Sequence, residues 1–331
     1  MSVVITGTGS HLPPRVVTND AIERASHDFV PGDRYPTLHE WVMDRAGVMS
    51  RHRMDPGGNT SDMAVRAARA ALDDARLDAT DVDLVVLATF TSDDRLPSTV
   101  SVVQRALGGS AKCLQLESAC SGFVDALLVA TSAMATGGFR TALVINVEAM
   151  SSIVDPERFM LQTVFGDGAA AVVLRDVPAA GFAIEALRTH TDATHCDWTR
   201  APGRAGGYLW IDHRAIYRFA VEKMVEATLE VLAVNDLTVD DVTWLIPHQT
   251  GANIIAEVGT QLKIAPEQII TCLDHTGNIS GASVPVALDE ARRRGRFRDG
   301  DRVVMPVVGG GMAWGAVSAV WRGPTAHRAA A

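Results

Sequence analysis

Two hydrophobic patterns alternate along the chain. Short apolar runs rich in β-branched residues, such as Leu84-Val85-Val86-Leu87 within 81–87 and the segment 141–147, lack polar alternation and read as strands buried on both faces. Longer stretches carry apolar residues at three- and four-residue spacing and read as amphipathic helices, notably Ser61 to Ala75 and Ala215 to Val234. The N-terminal Met1 to Thr6 reads as a strand. Strand and helix in alternation predict an α/β chain whose mostly parallel or mixed sheet carries helices on its faces.

The pattern then repeats. An offset of 160 residues carries the strand 81–87 onto 241–247 and the strand 141–147 onto 301–307. Gly168 to Val173 matches Gly315 to Val320 at an offset of 147, which implies a shorter connection before that strand in the second half. Three matches in one order predict two homologous α/β halves rather than a solenoid, whose periods are much shorter. The boundary falls between Asp176 and Gly181, giving halves 1–176 and 177–322 and a low-complexity tail, 323–331, expected to be flexible.

The duplication also says where chemistry belongs. Segment 119–127 corresponds to 278–288, with Ser121-Gly122 and Ala126-Leu127 aligned on Ser280-Gly281 and Ala287-Leu288. Two helix N-termini are therefore expected to face each other across a pseudo-twofold interface, with Cys120 on one side and Asn278 on the other. Strand ends beside such an interface are where α/β folds place ligands.

Composition narrows the class. With 47% apolar and 21% charged residues, a 331-residue chain reads as a soluble globular protein with a substantial core. A net charge of −9, from 30 basic and 39 acidic residues, argues against nucleic acid as a partner. No cationic region leads an apolar core at the N-terminus, and no apolar run reaches the roughly 18 residues of a membrane span, so neither a signal peptide nor a membrane is expected. Cys113, Cys120, Cys196 and Cys272 show no CxxC or other metal spacing, which predicts reduced thiols in a cytoplasm and no metal or cofactor. The cluster Arg292-Arg293-Arg294-Gly295-Arg296-Phe297-Arg298 suits the C-terminal dipole of a helix, and an anionic partner is the alternative reading.

Cys120 lies in Glu117-Ser118-Ala119-Cys120-Ser121-Gly122-Phe123, just before the apolar helical stretch 124–130. A cysteine at a helix N-terminus meets backbone N–H groups and a dipole that favour the nucleophilic thiolate. A lone cysteine is otherwise a small core filler, so its partners decide. His248 follows the strand 242–246, and Asn278 follows Gly277. A histidine near a cysteine either holds it as thiolate or donates once the sulfur is acylated, and an asparagine amide adds an uncharged donor. Each has an ordinary structural reading alone; together, at duplicated positions, they form the candidate site.

The segments Ser118 to Phe123, Phe165-Gly166-Asp167-Gly168-Ala169, Ile246-Pro247-His248-Gln249, Gly277 to Pro285 and Gly309-Gly310-Gly311-Met312-Ala313-Trp314-Gly315 resemble those of β-ketoacyl-acyl-carrier-protein synthase III enzymes. The resemblance runs from Ile5 to Val320. It implies a thiolase-like fold of five α-β-α-β-α layers, a homodimer, and a ping-pong reaction. Cys120 would take an acyl group from acyl-CoA, and a malonyl thioester on CoA or on a carrier protein would decarboxylate and condense with it. His248 and Asn278 would donate to the malonyl thioester oxygen, and the N–H groups of Cys120 and Gly310 would form an oxyanion hole.

The resemblance also implies that Trp41 stacks on the CoA adenine, that Arg45 and Arg158 meet its nucleotide end, and that Phe165 lies along the substrate path. Arg214 and Arg218 fall at positions that suit a carrier protein. Leu96 falls where the family often has an aromatic residue that crosses the dimer to close the acyl pocket, and a smaller side chain suggests room for longer or branched acyl groups. Three departures stand out: Thr250-Gly251-Ala252-Asn253 after His248-Gln249, Thr260 and Gln261 in place of lysines, and Ile211-Asp212-His213-Arg214-Ala215-Ile216-Tyr217 where the family usually has a glycine that lets pantetheine pass. The resemblance implies a decarboxylating condensation, in fatty-acid initiation or, with these departures, more in keeping with polyketide or other secondary metabolism. The alternatives are acyl transfer from Cys120 to an alcohol or amine, and a silent half of a heterodimer in which Cys120 is never acylated.

Overall fold

A computed structural model describes residues 3–26, 28–201 and 206–323. The expected flexible tail, apart from Gly323, lies outside them. Nine main strands are β1 (Val3–His11), β2 (Leu84–Ala88), β3 (Lys112–Leu116), β4 (Thr141–Ala149), β5 (Asp167–Asp176), β6 (Gly181–Thr191), β7 (Trp244–Leu245), β8 (Arg302–Gly309) and β9 (Ala313–Arg322). The helices that build the layers and the site are α1 (Leu38–Arg45), α2 (Thr60–Ala75), α3 (Thr99–Leu107), α4 (Gly122–Gly137), α5 (His213–Ala233), α6 (Ala252–Leu262) and α7 (Ser283–Arg293).

Hydrogen bonding gives the order β7-β8-β9-β6-β1-β5-β4-β2-β3. β1 and β6 meet through only two residue pairs, Val4 with Ala183 and Ile5 with Phe182. Either side of that seam the order repeats: β2, β4, β5 and β1 of the first half stand where β7, β8, β9 and β6 stand in the second. A single bridge from Leu245 to Ile269 marks the place of β3 in the second half.

The strands are apolar on both faces because each separates two cores. Leu84, Val86 and Ala88 point into a central cluster with Phe123, Leu127 and Leu288, whereas Val85 and Leu87 point outward against Ala64, Ala68 and Leu72 of α2. In the second half Val303, Met305 and Val307 face the centre, and Val304 and Val308 face Met224 and Val231 of α5. α4 and α7 fill the central layer, α2 with α3 and α5 with α6 form the outer ones, and the five-layer thiolase-like fold is complete.

One sequence reading needs correction. The stretch Ala119–Gly137 is long and apolar enough, at a mean hydropathy of 1.4, to cross a membrane by length and composition. Its apolar character follows from its place in the central layer, where Phe123, Val124, Leu127 and Met134 are buried between the sheets. The arginine cluster is largely absorbed by the fold. Arg292 pairs with Asp74 and lies over the Trp321 ring, Arg293 and Arg294 pair with Asp289 and Glu290, and Arg296 lies over Trp244.

Candidate active site

Residues Ala119–Ser121 form one 3₁₀ turn that runs directly into α4, so the Cys120 thiol sits at the positive end of a 16-residue helix. The same turn, Ser280–Ala282, precedes α7. Both begin on a left-handed residue that is not glycine, Ala119 at φ 44° and Ser280 at φ 50°, a costly conformation that clusters at functional sites. These matched turns align Ala119 on Ser280 and Gly122 on Ser283, an offset of 161. The expected pairing of Ser121-Gly122 with Ser280-Gly281 is therefore out of register, and Gly281 is the counterpart of Cys120. The shared Ser-Gly dipeptide misleads because backbone geometry sets the register. The two turns nevertheless touch, which brings Asn278 to the same place.

Asn278 is held by the first half of the chain. Its N–H donates to the Val164 carbonyl at 2.8 Å, and its own carbonyl accepts from Gly166 N–H at 3.1 Å, either side of Phe165. Gly277 at φ 65° makes that approach possible, since a Cβ there would lie 2.7 Å from the Val164 carbonyl oxygen. Asn278 Oδ1 accepts from Ser280 N–H at 2.7 Å, which assigns the amide so that its N–H₂ remains the free donor. His248 is only 1% exposed; its N–H donates to Pro306, and its Nδ1 has no protein partner. Gln249 locks this loop by accepting from Cys272 and Leu273 N–H and donating to Pro247.

Burial dominates the electrostatics. Desolvation pushes the Cys120 thiol up to about 11, a Ser280 hydrogen bond at 3.2 Å pulls the other way, and the Glu148 carboxyl adds to the rise. Desolvation likewise pushes the His248 imidazole down to about 3. At neutral pH the resting pair is thus thiol and neutral imidazole, not an ion pair. Glu148 is fully buried and pushed up to about 8 despite bonds from Thr91, Thr89 and the Phe90 N–H, so it too rests mainly neutral.

One cavity of about 680 Å³ joins these groups to solvent, lined by Cys120, His248 and Asn278 together with Trp41, Arg45, Phe165, Arg214 and Gly310. Trp41 and Arg45 come from α1, whose capping box at Thr37 and Glu40 fixes its start, and Trp41 packs edge-on to Phe159. Asn253 Nδ2 ties the end of α1 to α6 by donating to the Asp44 and Arg45 carbonyls. His213 and Tyr217 line the exposed end, and Gly251 lies opposite open space. Two residues expected along the substrate path, Arg158 and Leu96, do not line this cavity, and Arg218, expected at a carrier-docking surface, lies outside it. Arg158 is exposed at the N-terminus of a short helix, Arg218 is exposed on α5 beyond Arg214, and Leu96 is 89% exposed.

Ser280, Glu148 and Gly309 acquire roles only in three dimensions. Ser280 lies within a motif whose residues look alike in sequence, and Glu148 reads as the polar end of a strand. Gly309 stands in a glycine run where nothing distinguishes one member from the next.

Comparison with known proteins places this geometry. Residues 114–193 match the family described as 3-oxoacyl-[acyl-carrier-protein (ACP)] synthase III, and residues 232–321 match its C-terminal family. A beta-ketoacyl-[acyl-carrier-protein] synthase III of Rhodospirillum centenum is 40% identical over 329 residues, covering 96% of this chain and 98% of the relative. That of Rhodospirillum rubrum is 40% identical, covering 94% and 97%. Among solved structures, 3-oxoacyl-[acyl-carrier-protein] synthase III from Aquifex aeolicus VF5 aligns with a TM-score of 0.89 at 33% identity, covering 96% of this chain and all of that one. The priming beta-ketosynthase of the R1128 polyketide biosynthetic pathway aligns at 0.87 and 31% identity, covering 97% and 96%.

Proposed function

The chain belongs to the 3-oxoacyl-[acyl-carrier-protein] synthase III family of condensing acyltransferases, and on that premise we propose that it loads an acyl group from acyl-CoA onto Cys120 and condenses it with a malonyl thioester. The observation that carries this reading is the convergence of Cys120, His248 and Asn278 on one cavity whose open end bears Trp41, Arg45 and Arg214. Cationic and aromatic groups at the mouth suit the phosphates and adenine of CoA.

In the first step Cys120 Sγ attacks the thioester carbonyl, the carbon–sulfur bond to CoA breaks, and CoA leaves as its thiol with the proton that Cys120 gives up. His248, resting as a neutral imidazole, is free to relay that proton. The N–H groups of Cys120 and Gly310 meet the oxyanion, a contribution of roughly 3–4 kcal/mol for such a donor. In the second step the malonyl carboxylate leaves as carbon dioxide, and the electron pair moves into an enolate whose oxygen accepts from His248 and Asn278. The enolate carbon then attacks the acyl carbonyl and releases Cys120. The Asn278 amide, with Oδ1 occupied by Ser280, presents its N–H₂ for this purpose and favours condensation over simple transfer to an alcohol or amine.

His213 at the cavity mouth and Thr250-Gly251 on its wall favour a specialised acyl or extender thioester, in priming a polyketide or other secondary product rather than routine fatty-acid initiation. A homodimer is supported by β3, a sheet-edge strand with four of its five residues half-buried, and by exposed Leu96 and Leu128. Intact-protein mass spectrometry after incubation with a series of acyl-CoAs tests the loading: an adduct retained by the native chain and absent from Cys120→Ala is expected. No adduct from any acyl-CoA overturns the reading. With malonyl-CoA or malonyl-carrier added, carbon dioxide and a β-ketoacyl product are expected, whereas an ester or amide product would support acyl transfer instead.

A further inference from the structure

Ser280 touches two members of the site at once. Its hydroxyl donates to Cys120 Sγ at 3.2 Å, and its main-chain N–H donates to Asn278 Oδ1 at 2.7 Å. The residue is completely buried, at 0% exposure, and its bond to Asn278 is sealed from solvent. The backbone holds it in the left-handed region, and the turn is braced by Ile279 N–H donating to Ser283 Oγ at 2.8 Å. A residue kept in a disfavoured conformation by such bracing is over-determined by its surroundings, and the bracing points its hydroxyl at sulfur.

We propose that Ser280 is a positioning residue that holds Cys120 Sγ in place and favours its thiolate, while its N–H aims the Asn278 amide. The inference rests on the reading of Cys120 as the acyl acceptor, which it deepens. His248 does not supply the missing charge, because its imidazole rests neutral and its Nδ1 has no partner. Among the described residues the cavity lining offers Cys120 Arg45 and Arg214 as cations, and both are exposed on helices at the opening. What remains beside the sulfur is the N-terminus of α4 and the Ser280 O–H, and a hydroxyl donor to an anion is among the stronger hydrogen bonds available.

The test reads the thiol directly and needs no turnover. The rate at which iodoacetamide alkylates Cys120 is followed against pH by peptide mass spectrometry in the native chain, Ser280→Ala and Ser280→Gly. Glycine accepts the left-handed backbone without strain and keeps the N–H to Asn278, so it removes the hydroxyl alone. Both variants are expected to react about tenfold more slowly at a fixed pH, with the profile displaced upward by about one unit. Unchanged profiles in both variants would overturn the proposal, as would loss of folding in both, which would make Ser280 purely structural. Normal alkylation of the native chain with no acylation by any acyl-CoA would sink the proposed function and leave the role of Ser280 standing.

Discussion

Gly309 lies so close behind Cys120 that a Cβ on it would fall 2.9 Å from the Cys120 amide nitrogen and 3.2 Å from its Cβ. β8 ends at this glycine, and the turn carrying the thiol rests on it. Gly310, one residue on, faces Thr199 instead. Gly309→Ala is therefore expected to push Cys120 and its N–H out of place, lowering the acylation rate by at least about 100-fold, in line with loss of an oxyanion donor. Overpacking there should also cost about 1–3 kcal/mol of stability. Gly310→Ala, whose Cβ would only press on the Thr199 side chain, should fold with a smaller penalty. Single-turnover acylation and urea unfolding of the two variants check both statements.

Glu148 predicts a pH dependence of stability. Its folded value, about 8, lies above the ordinary 4.5, so the folded state binds the proton more tightly than the unfolded chain does. The sign follows: this contribution is full below pH 4.5 and is lost as pH rises through 8, with a total on the order of a few kcal/mol. Glu148→Gln keeps an acceptor for Thr91 and removes the titration. Its unfolding free energy should change less than that of the native chain between pH 5 and 9, and should equal or exceed it at pH 9. A native-like slope in Glu148→Gln would show that another group dominates that range.

Much of this was legible in the sequence, for identifiable reasons. The duplication was readable because each strand separates two apolar cores, so runs such as 84–88 and 303–308 have no polar interruption. Cys120, His248 and Asn278 were readable because each follows a strand or opens a helix in a distinctive local setting. The two-residue register slip at Ser280-Gly281 arose because a left-handed backbone, visible only as φ, defines the equivalent turns. Ser280 itself was hidden for a related reason: it lies 160 residues from Cys120, the offset of the strand repeat, but the shared Ser-Gly dipeptide pairs it with Ser121 instead and hides its contacts with Cys120 and Asn278. Leu96 and Arg158 lie off the cavity in this single chain, where sequence position alone could not separate a cavity wall from an outer surface.

The halves are also tied by Asp289 of α7, which is buried and accepts from Thr8 Oγ at 2.8 Å and Ser10 Oγ at 2.5 Å, both on β1. Arg293 Nε lies 3.0 Å from the same carboxylate. Removing it leaves two hydroxyls and a cation without their acceptor, and a buried charged hydrogen-bonding group of this kind is worth about 2–4 kcal/mol. Asp289→Ala is expected to lower the urea midpoint accordingly, and Asp289→Asn, which retains one acceptor oxygen, to lower it less. Equal stabilities for all three chains would show that the contact between β1 and α7 is held by apolar packing alone.

The free edge of β3 gives a test of assembly. Lys112 N–H donates to the Asp83 carbonyl, and the Leu116 carbonyl accepts from Thr89 N–H, so residues 112, 114 and 116 turn their backbone groups toward β2. Cys113 and Gln115 therefore turn theirs outward, leaving an edge able to pair with a second copy. Leu128 of α4 and Leu96 are exposed in this single chain. Cys113→Pro removes an outward N–H while sparing the bonds to β2, and prolines are tolerated at such edge positions. Sedimentation velocity at micromolar concentration should give a dimer for the native chain and a monomer for Cys113→Pro combined with Leu128→Arg. Because the thiol, imidazole and amide of the site all come from one chain, the monomeric variant should still be alkylated at Cys120. A native chain that sediments as a monomer would remove the edge as an assembly surface.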